Sequence, residues 1–178
     1  MTNSTIPFVN LYENNKKYKK KFLKITDQII KNSNFIKGKY NLLLENAISK
    51  IFKRKYVLNV NSGTDALIIA IKSLNFKKKD EIIMTSNTWI SAAYAIAINN
   101  VKPVFVDINT SNFQMDINNF KKKINKNTKA CIITHLYGFP NQMDKIKNIC
   151  KKNNIKIIED LAQSHLATYK KKLVGTFG

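Results

Sequence analysis

The stretch IKIIEDLAQSH, residues 155–165, combines an apolar run with two carboxylates, an amide and an imidazole. The apolar run predicts a buried strand, and the end of a strand is where a charge is held without full desolvation. Because Glu159 and Asp160 are consecutive in that strand, their side chains point to opposite faces. We therefore expect one carboxylate to face a site and the other to face a loop or solvent, with Gln163 following in an irregular segment. A helix or turn cap is the simpler interpretation.

A second candidate site follows the apolar run YVLNV, where the sequence continues NSGTDAL. Gly63 permits an unusual turn and the close approach of a ligand. Thr64 and Asp65 open a predicted helix, whose free N–H groups and positive dipole end suit a phosphate group. A plain N-cap by Ser62 or Thr64 explains the same residues, and taken alone it is the better interpretation.

Trp89 is the only tryptophan, and it follows the apolar run EIIMT at a predicted strand-to-helix turn. Ligands of open parallel sheets lie at the carboxyl ends of the strands, so an indole at this position could stack on a flat ring. A tryptophan of the core or of an interface is the alternative, and it is favoured when this residue is considered alone.

Together these residues place four chemical features at strand ends: a phosphate seat, an aromatic plate, a carboxylate and an amide. Pyridoxal phosphate requires these four, with the carboxylate at its pyridine nitrogen and a donor near its phenolic oxygen. The chain contains neither Gly-x-Gly-x-x-Gly nor a Walker A motif, so nucleotide binding by those routes is disfavoured.

The elements that position these residues alternate along the chain. Helical spacing in the first part predicts a helix at 10–32 and a second at about 40–52. Five β-rich runs then alternate with helices, which predicts an α/β fold with a mostly parallel sheet covered on both faces. The runs are YVLNV, EIIMT, PVFVDI, ACIITHL and IKIIED. We predict an N-terminal helical segment at 1–54 and a sheet domain at 55–178.

The composition favours a folded chain with a basic surface. Apolar residues make up 44% of the 178 residues, and the net charge is +20. A net charge of this size favours binding to a nucleic acid or an anionic membrane. However, nearly all of it is lysine, in short runs spread over the chain, so solvated surfaces are the better interpretation.

The two cysteines show no metal or redox spacing, and we expect buried free thiols. The N-terminus lacks the apolar core of a signal peptide, and no apolar run approaches the length of a membrane span. We expect a cytoplasmic setting.

The sequence resembles the DegT/StrS-type sugar aminotransferases, pyridoxal-phosphate enzymes of the aspartate aminotransferase fold type I. The resemblance runs from IPFVNL to VGTFG, and it is strongest in the segments NSGTDAL, TWISAAYAI, THLYGFPNQMDKI and IIEDLAQSH. It implies a three-layer α/β/α large domain and transfer of an amino group, from glutamate, to a nucleotide-linked keto-sugar. It also implies a homodimer for the full-length protein. We expect neither a membrane nor a nucleic acid as partner.

The resemblance also implies residue roles. Gly63, Thr64 and Asp65 are expected to surround the cofactor phosphate, and Trp89 to stack on the pyridine ring. Asp160 is expected to pair with the protonated ring nitrogen, and Gln163 to bond near the phenolic oxygen. These are the six expected cofactor-binding residues: Gly63, Thr64, Asp65, Trp89, Asp160 and Gln163. We expect no metal site.

The sequence departs from the family pattern in two ways. Leu161 and Leu166 stand where the family usually has a small residue and a glycine. The lysine that forms the Schiff base lies, in the family, beyond the position of Gly178, so we assign no catalytic lysine. We therefore expect the N-terminal part of an aminotransferase, with an incomplete domain and little activity alone. A non-catalytic basic module that binds anions or nucleic acid, and a pyridoxal-phosphate sugar dehydratase, are the alternative functions.

The resemblance makes one structural expectation explicit. It implies that YVLNV lies at one edge of the sheet, separated from ACIITHL by two strands that follow Gly178 in the family. We therefore expect YVLNV to lack its neighbour, whereas the other four runs pair in parallel.

Overall fold

A computed structural model describes residues 6–178 in two units, which divide between Ala47 and Ile48. The first five residues of the predicted helical segment 1–54 lie outside the described residues. The predicted division after Arg54 stays a prediction.

The first unit consists of helices. Its elements are α1 (Leu11–Asn15), one 3-10 turn (Lys16–Tyr18), α2 (Lys19–Lys31) and the first part of α3 (Lys39–Phe52). Asn10 caps α1 by accepting a hydrogen bond from the Glu13 N–H group. The Tyr40 hydroxyl donates to Gln28 Oε1 at 2.7 Å and so joins α3 to α2. Both predicted helices are confirmed, the first with a 3-10 turn inside it.

The second unit is built on a four-stranded parallel sheet. The strands are β1 (Glu81–Thr85), β2 (Lys102–Val106), β3 (Thr128–Thr134) and β4 (Lys156–Asp160), in the order β2-β1-β3-β4. Four of the five predicted strands are therefore confirmed, with ends within two residues. A small antiparallel pair, β5 (Thr168–Tyr169) and β6 (Lys172–Leu173), follows the sheet.

Helices cover both faces of this sheet. They are α4 (Gly63–Ser73), α5 (Ile90–Ile98), α6 (Ile117–Lys123) and α7 (Met143–Lys152). Helices α4 and α5 pack on one face with Ile82 and Ile132. Helices α6 and α7 pack on the other face with Ile83 and Ile133. Successive strand residues thus enter different cores, as the pleat requires. The predicted three-layer α/β/α architecture is confirmed.

The predicted strand YVLNV is wrong. Residues 56–60 have no regular secondary structure and pair with no strand in the part of the chain that the structure describes. An apolar extended run becomes a strand only where a neighbouring backbone offers hydrogen bonds. Tyr56 and Leu58 are instead 81% and 73% exposed. Among residues 6–178, this run therefore belongs to neither of the two sheets.

The expectation that a further strand lies beside ACIITHL, between it and YVLNV, is also wrong. The run ACIITHL forms most of β3, which is bonded to β1 on one side and to β4 on the other. The free edge on this side of the sheet therefore belongs to β4. Any further strand on this side would bond to β4, because β3 has no free edge.

The remaining expectations concern thiols and membranes. Cys131 and Cys150 are buried free thiols, as expected. Their Sγ atoms lie 3.5 Å apart, and this contact together with burial raises the pKa of the Cys131 thiol. Among residues 6–178, no helix is both long and apolar enough to span a membrane. The same residues contain no group of three or more side chains placed to hold a metal ion.

Candidate cofactor site

The carboxyl ends of three adjacent strands are joined by hydrogen bonds. The Thr88 hydroxyl, just beyond β1, donates to Thr134 Oγ1 at the end of β3, at 3.0 Å. The His135 N–H group donates to the carbonyl oxygen of Asp160 at 3.2 Å, which joins the ends of β3 and β4. Open parallel sheets bind ligands at this edge.

Asp160 is the last residue of β4 and is partly exposed. Its Oδ1 atom accepts a hydrogen bond from the Ala162 N–H group at 3.0 Å. The turn-cap interpretation therefore holds for one carboxylate oxygen. Within residues 6–178, Oδ2 has no hydrogen-bond partner, so this oxygen remains available to a ligand.

Gln163 is held by the loop that follows β3. Its Oε1 atom accepts a hydrogen bond from the Tyr137 N–H group at 2.9 Å. Tyr137 has a left-handed backbone, with φ of 55°. Because an N–H group needs an acceptor, this contact identifies the amide oxygen and leaves the amide NH₂ group to donate elsewhere. The orientation suits the expected contact with a phenolic oxygen.

The N-terminus of α4 is capped by Ser62. The Ser62 Oγ atom accepts from the Asp65 N–H group at 3.1 Å and donates to Asp65 Oδ2 at 3.0 Å. The plain N-cap interpretation is therefore confirmed. In the described part of the chain, the N–H groups of Gly63 and Thr64 have no partner, as expected for the first residues of a helix. They are the two donors left for an anion, because the Asp65 N–H group is used by the cap.

Gly63 permits an unusual turn but does not adopt one, because its φ is not positive. A Cβ atom at Gly63 would meet no heavy atom within 4 Å. The space beside the residue is thus open, which is compatible with the close approach of a ligand.

Trp89 precedes α5 and is 75% exposed. The alternative of a core tryptophan is therefore wrong. An exposed indole is free to stack on a planar ring or to enter an interface.

Trp89 and Asp160 lie beside or at the residues that join the strand ends, and Gln163 follows Asp160 by three residues. Helix α4, which begins at Gly63, packs against α5 on one face of the sheet. The set comprises two N–H groups with a hydroxyl, an indole, a free carboxylate oxygen and an amide donor. In chemical type, these are the groups that the phosphate, ring face, ring nitrogen and phenolic oxygen of pyridoxal phosphate require.

Glu159 has a role that the sequence did not reveal. Its side chain is 3% exposed. It faces the loop at the end of the chain, as one of the two carboxylates was expected to do. Its oxygens accept hydrogen bonds from the N–H groups of Gly175, Phe177 and Gly178, each at 2.7 Å. Burial alone would raise the pKa of Glu159, but the bonds from His135 and these N–H groups outweigh it and lower the pKa.

Residues 16–178 match the model of the DegT/DnrJ/EryC1/StrS aminotransferase family. A transaminase of Aneurinibacillus thermoaerophilus, named for dTDP-3-amino-3,6-dideoxy-α-D-galactopyranose, is 35% identical over 97% of this chain and 48% of its own length. The GDP-4-keto-6-deoxy-D-mannose 3-dehydratase of Escherichia coli O55:H7 is 32% identical over 87% of the chain and 42% of its own length. The chain thus spans about half the length of the curated relatives it matches.

Solved structures agree with these matches. DesV of S. venezuelae superposes with a TM-score of 0.91 at 26% identity, over 96% of this chain and 46% of DesV. The E. coli dehydratase with bound hydrated pyridoxal phosphate superposes with a TM-score of 0.81 at 32% identity, over 88% of this chain and 42% of that structure. NtdA of Bacillus subtilis was solved with bound pyridoxamine phosphate. The expected cofactor is thereby confirmed for the family.

The matched residues, the fold and the donor set at the sheet edge lead to one conclusion: the chain belongs to the DegT/DnrJ/EryC1/StrS aminotransferase family.

Proposed function

We propose that this chain is the N-terminal, cofactor-binding part of a pyridoxal-phosphate-dependent nucleotide-sugar aminotransferase, which moves an amino group from glutamate to a keto-sugar. The observation that carries the proposal is Asp160, a carboxylate at the end of β4 with one oxygen held by Ala162 and the other available. The similarity of the chain to sugar transaminases supports the substrate class.

Each residue of the set has a distinct task. The N–H groups of Gly63 and Thr64 bind the phosphate, aided by the positive end of the α4 dipole. Trp89 stacks on the ring, and Gln163 donates its amide NH₂ to the phenolic oxygen. Asp160 keeps the ring nitrogen protonated, because a nearby carboxylate favours the charged form. The bound cofactor supplies an electron sink for the transfer of the amino group.

The proposal includes a limit on this chain alone. The resemblance implies that the lysine of the family lies beyond the position of Gly178, so we assign none of the lysines present to that role. Without a positioned lysine there is neither a covalent anchor for the cofactor nor a base beside it. We therefore propose that residues 1–178 have little or no transaminase activity. The complete protein is proposed to act as a cytoplasmic homodimer.

A sugar dehydratase is the second candidate function. The observation that favours it is the 32% identity to the GDP-4-keto-6-deoxy-D-mannose 3-dehydratase over 87% of this chain. The resemblance implies that some such relatives carry histidine in place of the lysine. That position decides between the two reactions, and the next stretch of the gene, translated in all frames, would identify its residue.

The test of the cofactor site uses Trp89 as its reporter. Because Trp89 is the only tryptophan, stacking of a pyridine ring should quench the fluorescence of the chain directly. Pyridoxamine phosphate is the probe, since it needs no covalent anchor. We expect saturable quenching, weakened at least tenfold by Asp160→Asn. The control Asp27→Asn removes an exposed carboxylate paired with Lys31 and should leave the affinity unchanged.

Two outcomes would contradict the assignment. Equal affinity in Asp160→Asn and the unmodified chain would remove Asp160 from the site. No quenching, together with a salt-dependent shift on binding DNA, would instead favour the basic binding module.

The covalent state is tested separately with pyridoxal phosphate. We expect weak binding without a bond that borohydride can trap. A stoichiometric pyridoxyl adduct at one specific lysine, found by mass spectrometry, would overturn the proposed absence of a catalytic lysine.

A further inference from the structure

The backbone of residues 175–178 is bound from two sides by charged side chains. Glu159 accepts hydrogen bonds from the N–H groups of Gly175, Phe177 and Gly178, each at 2.7 Å. Arg54 Nη2 donates to the carbonyl oxygen of Gly175 and to the main-chain O atom of Gly178, both at 2.9 Å, and Arg54 Nε lies 3.3 Å from the first of them. One carboxylate thus binds the donors of this segment, and one guanidinium binds its acceptors. We call this pair the Glu159–Arg54 clamp.

The carboxylate of the clamp is itself oriented by the sheet. His135 is fully buried, and its Nε2 atom lies 3.4 Å from Glu159 Oε2. His135 Nδ1 accepts a hydrogen bond from the Asn141 N–H group at 3.0 Å, so Nδ1 carries no proton. The proton of a neutral ring is therefore on Nε2, where it points at Glu159. Asn141 is fixed in turn by donating to the carbonyl oxygen of Thr134 at 2.9 Å.

Gly175 is required by its backbone conformation, and Gly178 by a close contact with the backbone of β4. Gly175 has φ of +85°, and a Cβ atom there would lie 2.4 Å from Leu161 Cδ1. A Cβ atom at Gly178 would lie 2.5 Å from the carbonyl oxygen of Ile157 in β4. The segment therefore approaches β4 more closely than residues with side chains would allow.

The two charges of the clamp bind the backbone and not each other. In the described residues, Arg54 and Glu159 form no ion pair. A loop that only needed burial would be held at lower cost by apolar side chains, because two charges lose solvation here. Charge-assisted hydrogen bonds are directional, so they fix a backbone in one position.

We propose that Glu159 and Arg54 are positioning residues, which hold residues 175–178 beside β4 and thereby fix this segment relative to Asp160. The inference rests on the proposed function, in which Asp160 meets the cofactor ring. Because Glu159 and Asp160 are consecutive in a strand, β4 presents the ring acid on one face and the clamp on the other. Residues 175–178 are thus held next to the proposed site.

The test measures the amide protons of residues 175, 177 and 178 by NMR in the intact 178-residue chain. On acid titration, these three signals should shift together in one transition, as the Glu159 carboxylate is protonated. In Glu159→Gln the transition should vanish, and protection of these amides from hydrogen exchange should fall at least tenfold. The amides of β1 and β3 should keep their protection.

The matched control is Glu81→Gln. Glu81 is also a buried glutamate with a lowered pKa, and its hydrogen bonds with Lys102 and Asn125 are the main cause. This variant should leave residues 175–178 unaffected. If Glu159→Gln unfolds the chain, the Arg54→Met variant tests the clamp instead. In that variant, protection of the Gly175 and Gly178 amides from hydrogen exchange should also fall at least tenfold.

Three results would overturn the clamp. They are the absence of a shared transition in the unmodified chain, unchanged protection in a folded Glu159→Gln chain, and unchanged protection in Arg54→Met. Titration with pyridoxamine phosphate separates this inference from the proposed function, because Glu159→Gln should bind the probe as the unmodified chain does. If the unmodified chain does not bind the probe, the proposed function is refuted. The clamp is then still tested, because the amide measurements do not depend on the probe.

Discussion

Replacing Gly175 by alanine should destabilise the second unit, and the structure sets the size of the effect. The residue has φ of +85°, which costs a residue with a Cβ atom about 1–2 kcal/mol. The new Cβ atom would also lie 2.4 Å from Leu161 Cδ1 and 3.3 Å from the ring of Phe52. Overpacking costs about 1–3 kcal/mol in a rigid core, and less here because Leu161 Cδ1 is the end of a flexible side chain. The free energy of unfolding should therefore fall by about 1–5 kcal/mol.

The assay is equilibrium unfolding in urea, with Gly63→Ala as the matched control. A Cβ atom at Gly63 meets nothing within 4 Å, and this residue has no positive φ. Alanine at such a position changes stability by less than about 1 kcal/mol, in the stabilising direction. The midpoint of the Gly175→Ala chain should thus lie well below that of Gly63→Ala, at an unchanged slope.

A second variant divides the cost between its two causes. Leu161→Ala removes the atom nearest to the new Cβ, so Gly175→Ala should cost less in a Leu161→Ala background. The backbone term of about 1–2 kcal/mol should remain. Equal midpoints for Gly175→Ala and Gly63→Ala would refute the reasoning, because only one of the two glycines is constrained.

Three further results are expected. Ser62→Ala removes the cap of α4 and should lower the free energy of unfolding by about 0.5–2 kcal/mol in urea. Because the pKa of Glu159 is lowered by folding, its contribution is complete above the pKa of an unfolded glutamate. It should be lost as the pH falls through the lower folded value, and Glu159→Gln should remove this part of the acid dependence. The isolated chain should be marginally stable and aggregate on heating, since residues 56–60 belong to no strand among residues 6–178 and Tyr56 and Leu58 are exposed; a cooperative, reversible melt by calorimetry would contradict this expectation.

The helices and four of the strands were predictable because their signals are local. Apolar runs such as EIIMT in β1 carry their strand preference in their own residues, and α4 and α5 show apolar helical patterns. The run YVLNV carries the same local signal, and nevertheless it joins no strand in the described part of the chain. Pairing depends on which backbone lies beside the run, and no residue within the run encodes that neighbour.

In the candidate site too, local patterns were predictable from the sequence and long-range contacts were not. Asp160 could be located from sequence because a carboxylate at the end of an apolar strand is a local pattern. The partners of Glu159 and of Arg54 could not be located from the sequence, since Arg54 binds a carbonyl group 121 residues further along the chain. The contact between Cys131 and Cys150 was missed for the same reason, although the burial of both thiols was predicted.

The lengths of the two consecutive carboxylates fit their different positions. Glu159 reaches across to backbone N–H groups at 2.7 Å. A side chain shorter by one methylene would withdraw by about 1.5 Å, which takes its oxygens beyond hydrogen-bond range of that backbone. Asp160 is shorter and accepts a hydrogen bond from the Ala162 N–H group, which leaves its second oxygen at the carboxyl end of β4. The order Glu-Asp thus places the longer side chain at the clamp and leaves the shorter one with a free oxygen, which we propose meets the ring nitrogen. Exchanging the two residues should therefore weaken both contacts.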